Sequence, residues 1–216
     1  MTKNFLLFAV LLFILFGCIS SRPPICEQTS SHIRPQTNVA ENILGQEILW
    51  RQEDFPILVT ISPNMREIRK QVVFEAIDTW NTEVGIEVFT YVIGPFNPNE
   101  GIVNITEEDL GPPDICGNQI LGITTRYFNT NLLGYKTSMK RAEVKLHTGV
   151  SNRRVLGTAI HELGHVLGLN HDVDVNSIMY PYSLPNRGVI TEEDINFVKR
   201  MIFRNTLPRN SVEYFL

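Results

Sequence analysis

The stretch His161-Glu162-Leu163-Gly164-His165-Val166-Leu167-Gly168-Leu169-Asn170-His171 decides how this chain is read, and it holds three of the five histidines in the protein. Residues four apart on an α-helix lie on one face, about one turn (~6 Å) apart along the axis. His161 and His165 therefore face one point. His171 would point elsewhere if the helix simply continued. Gly168 resolves this, because glycine readily takes the left-handed conformation that ends a helix and turns the chain back. Three imidazoles can then converge. Neutral ring nitrogens suit Zn²⁺, and three protein ligands leave its fourth position open for water, as catalytic zinc sites do. Glu162 follows the first ligand, so its carboxylate is expected beside that open position as a general base.

Two blander readings exist. Val155, Ala159, Ile160, Leu163, Val166 and Leu167 form an apolar stripe, so the segment is also a core helix that could carry its histidines by chance. A structural zinc site is the other, but such sites are usually closed by four ligands, often cysteine, and no cysteine lies nearby. Five specified positions in the right order favour the catalytic metal.

The stretch resembles the long zinc signature of the metzincins. Ser177-Ile178-Met179-Tyr180-Pro181 looks like their Met-turn, whose methionine lies beneath the metal. Met179 is eight residues past the third histidine and Asp174 is three past it, and both offsets resemble the matrixin branch, the matrix metalloproteinase-like peptidases. Asp174 reads equally well as a solvated loop acid. The resemblance is close over residues 151–203 and looser over 48–150. It implies an α+β, zincin-like catalytic domain, with a twisted mixed β-sheet carrying the zinc helix and two further helices. The implied activity is zinc-dependent endopeptidase action on protein or peptide substrates. The metal would acidify a water, and Glu162 would take its proton and pass it to the leaving amine. The family also implies that Tyr180 and Pro181 line the pocket for the side chain after the cleaved bond. It implies that the strand above the cleft is a sheet edge to which substrate adds as one more strand. By order that strand is Ile120–Phe128, where Gly122 would let another backbone approach and Thr124 and Thr125 favour extension; a fully paired interior strand is the alternative. A zinc amidase acting on cell-wall peptides and a non-catalytic zinc-containing binding module are the rival functions, the second disfavoured by an intact ligand set and an intact Glu162.

The rest of the chain gives the setting. A net charge of −4 with no basic run gives no reason to expect nucleic acid. Lys3 precedes an apolar run from Phe5 to Phe16, twelve residues where a membrane span needs ~20, which suits an export signal. Leu15-Phe16-Gly17-Cys18 resembles a bacterial lipobox apart from bulky Phe16, making Cys18 a candidate lipidation site. Ordinary cleavage near Ser20–Ser21 and an uncleaved anchor are the alternatives, and all three place the domain outside the cytosol. Residues 1–18 are thus read as signal, 19–47 as a polar tether, 48–205 as the catalytic domain and 206–216 as a tail, in a protein expected to be monomeric. In an oxidising compartment Cys26 and Cys116 can pair, with free thiols as the alternative. Cys26 lacks the glycine and Pro-Asp that surround the inhibitory cysteine of matrixin propeptides.

Strands are expected at Phe55–Ile61, Ile86–Ile93, Gly101–Thr106, Ile120–Phe128 and Ser138–Thr148. In the last of these, Ala142, Val144 and Leu146 face in while Arg141, Glu143, Lys145 and His147 face out. A helix starts near Pro63 with Asn64 and Glu67 as a cap pair, its inner stripe being Ile68, Val72, Ala76 and Trp80 with Val73 and Ile77, and Gly85 ends it. Ser151 or Asn152 can cap the zinc helix. Thr191-Glu192-Glu193-Asp194 is a capping box opening a last helix through Arg204, with Ile195, Val198, Met201 and Ile202 inward. The histidines of the second, structural zinc of matrixins are missing, so none is expected. Glu107, Glu108, Asp109 and Asp114 read as solvated acids, with bound calcium as the alternative.

Overall fold

The computed structural model describes residues 47–95, 97, 102–115, 117–134, 136–182 and 189–203. The export signal, nearly all of the tether, the tail and all three cysteines (Cys18, Cys26 and Cys116) lie outside the described residues. Strands β1 (Ile57–Ile61), β2 (Phe89–Ile93), β3 (Val103–Glu108), β4 (Gly122–Thr130) and β5 (Lys136–His147) form one mixed sheet ordered β2-β1-β3-β5-β4. The pairs β1–β2, β1–β3 and β3–β5 are parallel, and only β4 runs antiparallel, against β5. Parallel neighbours need a crossover, and helix α1 (Glu67–Val84) supplies the one between β1 and β2. Interior strand β1 shows the apolar run that a strand covered by neighbours requires, with Ile57, Val59 and Ile61 fully buried.

Helices α1 and α2 (Asn152–Leu167) pack together through Trp80, whose indole N–H donates to Ile160 O at 2.9 Å. Trp50 does the same to Val166 O at 2.7 Å and pins the entering chain to α2. Both indoles are thus buried with their single donor satisfied. Helix α3 (Glu192–Phe203) closes the core with Phe197, Val198, Met201 and Ile202. Its start is the expected box: Thr191 N–H donates to Asp194 Oδ2 at 3.0 Å, and Asp194 N–H to Thr191 Oγ1 at 3.2 Å. The inner stripe includes Phe197 in place of Ile195, which is only half-buried.

Other expectations shift. Each strand starts or ends one to three residues from its predicted limit, as β1 does because Pro56 has no N–H to give a ladder. Asn64 and Glu67 do not cap α1. Asn64 N–H instead bonds Ser62 Oγ at 3.3 Å inside a turn, and the helix opens only at Glu67. Ile68 is half-exposed at 53 %, and Arg69 takes the inner position. A row of i, i+4 steps drifts about 40° per step around the axis, so three steps carry Ile68 about 120° away from fully buried Trp80. Ser151 precedes α2 without a side-chain cap bond. His147 does not face out. It is buried at the end of β5, where Leu110 N–H donates to Nδ1 at 3.2 Å and the Gln119 side chain meets Nε2 at 2.7 Å. Strand alternation held for Arg141, Glu143 and Lys145, but a loop covers the last position.

Strand β4 is a sheet edge. Its phase follows from two bonds: His147 N–H donates to Leu121 O at 2.9 Å, and Ala142 N–H donates to Ile102 O at 2.9 Å. With Gly122 opposite Leu146, odd positions of β4 up to the first register shift exchange bonds with β5. Gly122, Thr124 and Arg126 direct their N–H and C=O groups to the open side. Their side chains share the face turned to α2, whereas Ile123 and Thr125 are exposed on the other.

Candidate active site

Helix α2 buries Val155, Leu156, Ala159, Ile160, Leu163, Val166 and Leu167. Each buried Val, Leu or Ile contributes about 1.5–3 kcal/mol, so the helix is fixed by its apolar face and His161 and His165 are left free on the other. It ends at Gly168 with φ 103°, whose N–H donates to His165 O at 3.1 Å, while Leu169 N–H reaches Gly164 O at 3.1 Å. That left-handed turn brings His171 back over the helix. The ring centroids stand 4.6, 4.8 and 5.3 Å apart, and one ligand nitrogen from each lies within 4.8 Å of the others.

The two helical rings are oriented through their other nitrogen. His161 Nδ1 is 2.7 Å from Ile178 O and His165 Nδ1 is 2.8 Å from Leu169 O. A carbonyl can only accept, so each Nδ1 carries the proton and each Nε2 presents a lone pair. Burial, the largest influence on both, pulls His161 to about 4 and His165 to about 3; His171 is lowered by burial and by the Arg126 guanidinium. Three neutral, convergent imidazole nitrogens are the donor set of a zinc centre. Among the described residues this is the cluster that could hold a metal.

Ser177, Ile178 and Met179 form a buried turn beneath the rings. Ser177 Oγ accepts from Met179 N–H at 3.0 Å, Tyr180 N–H closes on Ser177 O at 3.1 Å, and Asp172 N–H reaches Met179 O at 2.9 Å. The sulfur of Met179 lies against Gly164, where a Cβ would overlap it and come within 3.3 Å of Trp80. Gly164 was not singled out from sequence. Its signal was there, since a glycine inside a helix costs about 1 kcal/mol relative to alanine and asks for a packing reason.

Glu162 is buried at 5 % exposure, and burial raises its carboxyl to about 7 against the opposing Thr124 hydroxyl. Thr124 Oγ1 donates to Glu162 Oε2 in a short bond and lies 3.2 Å from Glu162 O. Gly122 has a use besides the one expected. A Cβ there would stand 2.6 Å from Glu162 Oε1 and 2.7 Å from Thr158 Cγ2, so what approaches is the Glu162 side chain. Thr125, exposed on the opposite face, meets neither. Tyr180 and Pro181 follow Met179 half-buried, and the Tyr180 ring tilts toward Tyr182 at 5.8 Å between centroids. Asp174 is exposed, and its Oδ1 accepts from Asn176 N–H at 2.9 Å and Asn176 Nδ2 at 3.0 Å. The four acids named for calcium are separately engaged. Glu107 meets Arg66 and Arg69, Glu108 meets Lys145 at 2.7 Å, Asp109 accepts from Gly111 N–H at 3.0 Å, and Asp114 from Asn118 N–H at 2.8 Å.

The matrixin family model matches residues 57–202. The chain belongs to the matrixins. Comparison with curated proteins returned no match. The family brings zinc-dependent metallopeptidase chemistry, and the matched span holds the five-stranded sheet, α1, α2, all but the last residue of α3, and the histidine cluster. In this matrixin the edge strand and the histidine-bearing helix meet at Glu162, so that carboxyl and the open-side backbone of β4 share one seam.

Proposed function

We propose that this protein is an exported zinc endopeptidase whose general base is Glu162, acting on extended peptides laid along β4. The observation that carries the reading is the placement of Glu162 between the histidine cluster and the open edge of β4, held there by Thr124. His161, His165 and His171 would hold the metal. Zinc, when bound, supplies a Lewis acid that acidifies water and polarises a carbonyl. Glu162 takes the proton of the attacking water and hands it to the leaving nitrogen, a task suited to a carboxyl raised toward neutrality. Gly122, Thr124 and Arg126 offer backbone donors and acceptors to the substrate, aligning it as a sixth strand, and Tyr180 and Pro181 border the pocket beyond the scissile bond.

Export rests on Lys3 and the apolar run Phe5–Phe16, and attachment to a membrane on lipidation of Cys18. The reading is tested with the purified full chain and casein. Cleavage should stop with a zinc chelator and return with added zinc; casein left intact by zinc-loaded protein would overturn it. For the anchor, Cys18→Ser should release the protein from the membrane fraction or leave a larger precursor, and identical fractionation and size would overturn lipidation.

A further inference from the structure

The Arg126 side chain has no part in the chemistry proposed for Glu162, yet it reaches the turn that carries His171. From the open-edge strand its Nη2 donates to Asn170 Oδ1 at 3.1 Å, and its Nη1 lies 3.4 Å from Gly168 O. Those two acceptors flank Leu169, whose carbonyl orients the His165 ring at 2.8 Å, and Asn170 directly precedes His171. The guanidinium thus grips the three-residue turn that aims two of the three histidines. Electrostatically its position is unfavourable. It is a partly desolvated cation close enough to His165 and His171 to disfavour positive charge on both, and a dication at the cluster would be repelled in the same way.

We propose that Arg126 is a positioning residue that fixes the Gly168–Asn170 turn against β4, so that His165 and His171 are preset for the metal. The benefit is geometric and outweighs the charge repulsion. Arginine suits the task because its planar fork serves two acceptors at fixed angles, which an ammonium cannot. The proposal rests on the zinc reading given above, and it adds that the edge receiving substrate and the turn carrying the third histidine are one mechanical unit.

Geometry and charge predict opposite signs, which makes the test decisive. Zinc affinity is measured by competition with a chromogenic chelator for wild type, Arg126→Met, Arg126→Lys and Asn170→Ala, with melting of the zinc-free proteins alongside. If positioning dominates, Arg126→Met weakens zinc binding about 10- to 100-fold, the range expected for groups that orient ligands. Arg126→Lys restores only part of that. Asn170→Ala gives a smaller loss, and in the double variant the losses are less than additive. Should Arg126→Met fail to fold, Asn170→Ala, which leaves the guanidinium in place and takes away its side-chain acceptor, decides by whether zinc binding weakens. Zinc binding that is unchanged or tighter in Arg126→Met, or full restoration by lysine, overturns the proposal. Failure of the zinc reading itself shows differently, as a wild-type protein that takes up no zinc.

Discussion

Two glutamates in this domain are withdrawn from water, and their surroundings send them opposite ways. Glu162, on α2, meets a threonine hydroxyl and the space left by Gly122, and burial raises it to about 7. Glu107, on β3, has a side chain only 7 % exposed, yet its pKa falls. Desolvation alone would raise it, but Arg66 donates to it through its backbone N–H and two side-chain nitrogens, and Arg69 Nε lies 3.1 Å away. Arg69, itself 1 % exposed, also donates to Thr148 O and Val150 O, so this cluster ties α1 to the chain entering α2. One carboxyl is kept able to exchange a proton and the other is locked as an anion. In the metal-free protein the same residue type is raised by burial or lowered by arginines beside it.

The largest effect expected from breaking this contrast is on stability. Glu107→Ala would leave the buried Arg69 without its anion, and removing one partner of a buried pair costs about 3–5 kcal/mol. Urea unfolding should show it as a lower midpoint with little change in slope. The pH dependence has a definite sign. Because the folded-state pKa of Glu107 lies below its ordinary 4.5, its contribution is complete above that value and is lost as pH falls through the folded pKa. Glu107→Gln should therefore flatten the stability loss that wild type shows on acidification below about pH 4.5. An acid limb unchanged by the substitution would mean that the pair does not stabilise the fold.

Next in size is Gly122→Ala. Its methyl would meet the Glu162 carboxylate at 2.6 Å and Thr158 at 2.7 Å, an overpacking that typically costs 1–3 kcal/mol. Because the carboxylate gives way more easily than the helix, turnover should fall more than tenfold while zinc content holds. Equal proteolysis would show that Glu162 does not work from this position. Thr124→Val should be milder. It removes one hydrogen bond to a charged group, worth roughly 1.5–3 kcal/mol, so kcat should drop about tenfold or more and Thr124→Ser should restore it. A loss confined to KM would make Thr124 a substrate contact only.

The smallest effect concerns the edge. Methylating single backbone nitrogens of a peptide substrate removes one donor at a time. KM should rise several-fold at alternate positions, about 1 kcal/mol per bond, because alternate residues of β4, Gly122, Thr124 and Arg126, face the open side. A rise at every position, or at none, would contradict pairing with β4.

The sequence revealed this site unevenly, for a physical reason. His161, His165, Gly168 and the Thr191–Asp194 box act through neighbours within a few residues, so spacing alone reveals them. The seam with β4 needs contacts between residues 36 to 44 apart: Gly122 against Thr158 and Glu162, Thr124 against Glu162, Arg126 against Gly168 and Asn170. Nothing local distinguishes a glycine that makes room for a carboxylate from one that loosens a strand. Arg69 was overlooked and His147 misplaced for the same cause. Periodicity describes one element at a time, and both are buried by chain arriving from elsewhere.

The central claim is that Glu162 is the proton carrier and Glu107 is not. It is tested most directly by Glu162→Gln in the full chain, assayed together for zinc content, thermal stability and cleavage of a peptide. The amide keeps the size of the side chain and cannot take a proton. Zinc should remain near one equivalent and stability at or above wild type, since a buried acid has been made neutral. Cleavage should fall about 10²–10⁴-fold. A variant that holds zinc and cleaves at close to the wild-type rate would contradict the account.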